Sequence, residues 1–187
     1  MHPQLFAHYQ KLADTYGPEP AYLEIGAAPG GRAILAGPWF ADRPERVAIN
    51  LNAHEQAEGI AFRRANANDL SGVFADGAFR SVFSNAVLEH DKAFWRSLAE
   101  MKRVLAPGGL MFVGAPGFIP SRQTRARIDG FEGAAKATIT FDVHAKPDYW
   151  RFSRQAFKEV VFDGLELLEL KVVGRIPRLV GVGRKPG

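Results

Sequence analysis

The feature that most narrows what this chain can fold into lies at residues 21–31, Ala-Tyr-Leu-Glu-Ile-Gly-Ala-Ala-Pro-Gly-Gly. An apolar run ends in an acidic residue, and a glycine-rich turn follows at once. That order suits a tight turn at the carboxyl edge of a sheet. Glycine there permits positive φ and lets the backbone approach a ligand closely. Such turns serve many nucleotide folds and many structural corners, so the rest of the chain must supply the context.

The context is an alternation of strands and helices. Leu5, Phe6, Tyr9, Leu12 and Tyr16 are spaced for one helix face, and Gly17-Pro18-Glu19-Pro20 stops the helix. Strands are predicted at Ala21–Ile25, Arg46–Leu51, Ile60–Ala65 and Phe79–Ser84, with a short helix near Arg32–Ala36. Asp91 is expected to cap a helix whose Phe94, Trp95, Leu98, Met101, Val104 and Leu105 form an apolar stripe. Pro107-Gly108-Gly109 ends it before a buried-type strand at Leu110–Gly114. Residues 115–150 are irregular and carry Arg122, Arg125, Arg127 and Lys136, which suits an insertion or lid over the active edge. The arginine cluster reads first as a solvated face and second as a hold on an anionic substrate. Ser153 is expected to cap a helix containing Phe157, Val160 and Val161. Strands at Leu165–Val173 and Arg178–Val182, joined by a short link, favour an antiparallel hairpin. The pattern predicts a single α/β domain over 1–187, with a parallel sheet and helices on both faces.

Composition removes several chemistries. With no cysteine there is no disulfide, thiolate metal site or cysteine nucleophile. No apolar stretch is long enough to span a bilayer, and the first residues lack the layout of a secretory signal. A cytoplasmic protein is the expectation. A net charge of +4 helps an anionic substrate approach but falls short of a nucleic-acid footprint. No histidine pair has metal-ligand spacing, so no metal is expected. There is no Gly-x-Ser-x-Gly elbow of the α/β-hydrolase kind.

Four segments in order resemble the class I S-adenosylmethionine-dependent methyltransferases, in particular the type 11 branch. Glu24-Ile25-Gly26-Ala27-Ala28-Pro29-Gly30 stands at the first motif, and Asn66-Ala67-Asn68-Asp69-Leu70 follows the third strand. Asp76-Gly77-Ala78-Phe79 with Ser84-Asn85-Ala86-Val87-Leu88-Glu89-His90 resembles the fourth-strand motif. Arg103-Val104-Leu105-Ala106-Pro107-Gly108-Gly109 resembles the turn before strand five. Asp148-Tyr149-Trp150-Arg151-Phe152-Ser153 is similar to a segment of small methyltransferases associated with surface glycans or glycolipids. The resemblance implies a Rossmann-like seven-stranded sheet, mostly parallel, its last strand antiparallel beside strand five. It also implies S-adenosyl-L-methionine across the carboxyl ends of strands one to four, and methyl transfer to a small-molecule, glycan or lipid-linked acceptor.

By the same resemblance Gly26, Ala27, Ala28 and Gly30 lie against the cofactor's tail and ribose. Glu24 either attracts the tail amine or holds the turn. Asn50 and Leu51 meet the ribose hydroxyls, Asn66 and Ala67 the adenine, and Asn85 and Ala86 line the floor near the methionine portion. Asn85 has a second reading, a strand-end bond to backbone. His90 is the best-placed base, with a packing role beside the tail as its other reading. His144, Tyr149 and Arg151 are candidates for the acceptor, Arg151 by pairing with a carboxylate or phosphate. His54 is a further candidate for the cofactor rim. Trp150 and Phe152 read as core or pocket wall.

Three departures stand out. Asn50 and Asn66 replace acidic residues usual in the family, and Ala28 replaces a common glycine. A carboxylate accepts stronger, charge-assisted bonds, so weaker cofactor binding than in typical relatives is expected. Three rivals remain at this stage. A nicotinamide oxidoreductase suffers from Pro29, which removes a donor, and from the missing acid on strand two. A ribosomal-RNA 2′-O-methyltransferase shares the first motif but has no lysine in Val113-Gly114-Ala115-Pro116-Gly117. A non-enzymatic binding relative is suggested by the asparagines.

Overall fold

The computed structural model describes residues 1–30, 33–52, 55–57, 59–117, 147–174 and 178–187. Seven strands form one sheet, in the order β3-β2-β1-β4-β5-β7-β6. They are β1 Tyr22–Ile25, β2 Arg46–Asn50, β3 Ala61–Arg64, β4 Phe79–Asn85, β5 Leu105–Pro116, β6 Glu166–Val173 and β7 Arg178–Arg184. β1 to β5 pair in parallel, while β7 runs antiparallel to both β5 and β6. The order reverses between β1 and β4. This is the switch point, where the carboxyl ends of an open sheet leave a crevice.

Helix α1, Pro3–Tyr16, begins with Pro3 in its first turn and ends at left-handed Gly17 (φ 56°), as its sequence punctuation requires. Its Tyr9 and Leu12 join Tyr22, Phe40, Phe83, Phe112 and Val180 in one core layer. Helix α2, Phe94–Val104, sends Leu98, Met101 and Val104 into the other layer with Leu23, Val82, Met111 and Phe157. Phe83 and Phe112, neighbours on adjacent strands, stack at 4.5 Å. Burying each such side chain contributes about 1.5–3 kcal/mol, so the two layers hold the sheet between them.

Several expected elements change shape. The helix expected near Arg32–Ala36 is a 3₁₀ turn, Ile34–Ala36, followed by another, Pro38–Phe40. β3 and β4 are joined through turns among residues 66–78 rather than a helix. Helices thus cover both faces, but thinly over β2 and β3. Ala93, not Asp91, is the residue before α2; Asp91 Oδ1 accepts from the Ala93 N–H at 2.9 Å, one step ahead of the helix. Pro107-Gly108-Gly109 is not a break between elements. It is a bulge inside β5, where Phe79 pairs Leu105 and Ser81 pairs Leu110. Ser153 does cap the next helical segment, accepting from Ala156 N–H at 3.0 Å; a turn at Arg154–Ala156 runs on as a π-helix, Phe157–Val161. No helix among the described residues is long and apolar enough to cross a membrane.

Candidate functional site

The carboxyl ends of β1, β2 and β4 are stitched together. Gly26 (φ +78°) turns the chain out of β1, and its N–H donates to Ile49 O at 2.8 Å. A Cβ at Gly26 would collide with Cγ2 of Val87, just past β4, so the turn sits tight on the fourth-strand motif. Asn50 Nδ2 donates to Ala27 O at 2.8 Å, and its Oδ1 accepts from Asn52 N–H at 3.0 Å. The asparagine that replaces an expected acid is therefore a clasp between β2 and the glycine turn. A carboxylate has no proton to donate to Ala27 O.

Glu24 holds the 3₁₀ turn Ile34–Ala36, which comes after the glycine-rich segment. It is buried, and its two carboxylate oxygens accept the N–H groups of Ile34 and Leu35 at 2.9 and 3.0 Å. Both oxygens are thus engaged by backbone N–H groups past the glycine turn. Burial raises its pKa to about 7, with the two backbone bonds pulling the other way.

On the crevice side, Gly30 (φ +86°) has open space where a Cβ would stand. Leu51 is 66% exposed, an apolar surface next to the turn. Asn66 Oδ1 accepts from Asn68 N–H at 3.0 Å, an Asx turn that presents Ala67. Asn68 in turn donates to Asp91 and Ser97, which anchors the segment to α2. Asp69 is exposed, and hydrogen bonds from Ser71 hold its carboxyl below the usual range.

The end of β4 is strained. Ala86 is left-handed (φ 56°), rare for a residue with a Cβ, and its N–H donates to Gly114 O at 2.9 Å. Asn85 points back to α1, where the buried Tyr9 hydroxyl lies 3.5 Å from Asn85 Oδ1 and 3.4 Å from Ser84 O. Gly114 is required there, since a Cβ would strike both Tyr9 Oη and Asn85 Oδ1.

Residues 147–152 are strapped across the ends of β4 and β5. Tyr149 N–H donates to Glu89 O at 2.7 Å, Trp150 Nε1 to Asp91 O at 2.8 Å, and Phe152 N–H to Pro116 O at 3.1 Å. His90 Nδ1 donates to Pro147 O at 2.8 Å, which fixes the proton on that nitrogen, and Nε2 stands 3.9 Å from Glu89 Oε1. Arg151 is ion-paired with Asp148. Tyr149 and Trp150 are exposed at the rim. His144 and the arginine cluster lie outside the described residues, as do His54 and Gly31.

Sequence reasoning missed Glu89, Arg178 and Tyr9 as site residues. Glu89 is buried, Arg178 opens β7 3.5 Å from it, and Tyr9 lies in the core with its hydroxyl near the end of β4. Glu89 had a signal, a charged residue directly after the apolar Val87-Leu88. Arg178 and Tyr9 had none, because only the fold brings them there.

Comparison with known proteins agrees with the fold. Residues 41–113 match the family described as "Methyltransferase domain". Three solved structures share the fold. A 1,6-didemethyltoxoflavin-N1-methyltransferase of Burkholderia thailandensis, with S-adenosylhomocysteine bound, is 16% identical with a TM-score of 0.68, over 97% of this chain and 78% of that one. A possible histamine N-methyltransferase of Thermotoga maritima is 18% identical with a TM-score of 0.65, over 96% and 89%. The N-methyltransferase NodS of Bradyrhizobium japonicum, also with S-adenosylhomocysteine, is 16% identical with a TM-score of 0.62, over 98% and 86%. No curated protein matches by sequence.

Proposed function

We propose that this chain, a protein with an S-adenosylmethionine-dependent methyltransferase domain on the class I fold, transfers a methyl group to a small-molecule, glycan or lipid-linked acceptor. The observation that carries this reading is the left-handed glycine turn seated at the switch point and clasped to β2 by Asn50. S-adenosylmethionine supplies an activated methyl for in-line displacement, so proximity and alignment do much of the work.

The chain's residues suit such a group. Gly26, Ala27, Ala28 and Gly30 would lay their backbone along its tail, with open room at Gly30. Leu51 would offer an apolar face to the adenosine, flanked by Asn50 on the ribose side and by Asn66 and Ala67 on the adenine side. Glu24 would act through the turn it holds. Asn85 and Ala86 would form the floor. His90, Tyr149 and Arg151 would border the acceptor, His90 with its proton fixed on Nδ1. His144 stays in the proposal on resemblance alone.

A thermal-shift titration with S-adenosylhomocysteine tests the reading. Binding to the native state alone raises the melting point as RT ln(1 + [L]/Kd), about 2.7 kcal/mol at a hundredfold excess over Kd. A melting curve indifferent to the ligand would leave a methyltransferase fold that binds something else.

A further inference from the structure

We infer that Glu89 and Arg178 form a subsite for a neutral hydroxyl of the methyl acceptor, which donates to the Glu89 carboxylate and accepts from the Arg178 guanidinium. The inference rests on the methyltransferase reading above.

The Glu89 side chain is 0% exposed, on the 3₁₀ turn Leu88–His90 just past β4. Neither of its carboxylate oxygens has a hydrogen-bond partner on another residue; only Glu89's own N–H lies close. Arg178 brings Nη1 to 3.5 Å from Glu89 Oε1, and that nitrogen is also buried without a hydrogen-bond partner. Ser84 Oγ, on β4, is another buried polar atom in the same condition. Such exceptions are rare in folded proteins and each needs a reason. A buried ion pair repays its desolvation only when good hydrogen bonds satisfy the remaining lone pairs and protons. This pair lacks them. What would complete it is a group that donates a hydrogen bond to a carboxylate oxygen and accepts one from an N–H.

Charge decides which group. The neighbouring Asp148 and Arg151 are already paired with each other, and His90 Nε2 stands 3.9 Å from Glu89. The two acids and two guanidinium groups balance. A carboxylate or phosphate would be set against Glu89, and an ammonium against Arg178. A hydroxyl is uncharged and is both donor and acceptor. The exposed rings of Tyr149 and Trp150 stand at the rim, on the strap whose N–H groups bond to Glu89 O.

The test uses the full chain loaded with S-adenosylhomocysteine and three sets of small probes: methyl glycosides, monocarboxylic acids and primary amines. Binding is read from side-chain NMR signals of the arginine guanidinium groups. Methyl glycosides should shift the Arg178 signal, and Glu89→Gln or Arg178→Gln should weaken that binding roughly tenfold or more. The double variant Glu89→Leu/Arg178→Met should melt at or above the wild-type temperature, since it removes an unfinished ion pair. A preference for acids or amines, silence from all probes, or a markedly less stable double variant would overturn the inference. S-adenosylhomocysteine binding on the same samples separates the two levels. Its loss in wild type sinks the parent reading, whereas its persistence without hydroxyl selectivity sinks only this one.

Discussion

Glu24 is an acid kept dry while it holds the 3₁₀ turn at Ile34–Ala36. Its pKa rises from 4.5 to about 7 in the folded protein, chiefly through burial. Between those values the native state holds a proton that the unfolded chain has released. Its contribution to stability is therefore full below about pH 4.5 and is lost as pH rises through about 7. The shift corresponds to roughly 3 kcal/mol. Melting temperature followed from about pH 5 to about pH 8 should fall in the wild type and fall less in Glu24→Gln, which cannot titrate there. Glu89, also raised by burial, adds slope of the same sign and is present in both proteins. At acid pH the glutamine should be the less stable, by about 1–3 kcal/mol, because one carbonyl oxygen faces two N–H donors. Asn50 yields an opposite lesson to the one the methyltransferase resemblance suggests. Asn50→Asp installs the acid that the resemblance leads one to expect, yet it sets a carboxylate against Ala27 O, now 2.8 Å from a donor. Calorimetric titration with S-adenosylhomocysteine should show weaker binding, and denaturation a loss of about 1–3 kcal/mol. Tighter binding would mean that the clasp contributes little.

Among the elements, the glycine turn separates packing from permissiveness. Gly26→Ala puts a Cβ into Val87 at a φ of +78° and should destabilise by well over about 2 kcal/mol in urea unfolding. Gly30→Ala meets nothing, so only the left-handed backbone costs, about 1–2 kcal/mol. Equal losses would show that the Val87 contact relaxes. The strands were legible because each is a short apolar run bounded by turn residues; β1, β2 and β4 fall within a residue or two of expectation. The hairpin was legible from its short link. Helices were legible where an apolar stripe persisted, as in α1 and α2. The expectation at Arg32–Ala36 gave way to 3₁₀ turns because Gly37 and Pro38 leave no room for a longer helix. The bulge in β5 escaped notice since Pro107-Gly108-Gly109 reads equally as a helix stop and as an interruption within a strand. At the site, the first motif stood out through its glycines. The Asn50 clasp and the Glu89–Arg178 pair did not, because both depend on what a distant segment places opposite them.

Across the whole molecule, a lysine just beyond β7 ties the end of the sheet to a helix far away in sequence. Lys185 Nζ donates to Lys102 O at 2.7 Å and to Leu105 O at 2.6 Å, where α2 gives way to β5. A positive charge is favoured at that end of a helix, and it satisfies carbonyls the helix leaves open. Lys185→Met should lower stability by about 1–3 kcal/mol, as a shift of the urea midpoint with the slope unchanged. An unmoved midpoint would make the contact incidental. β7 runs against β5, so Arg178 lies beside Pro116 while Arg184 lies beside Leu110. The polypeptide leaves the sheet on the side remote from the crevice. Anything carried on that side, whether a fluorescent reporter, an affinity handle or a tether to a bead, would hang from the opposite edge of the sheet to the ends of β1, β2 and β4.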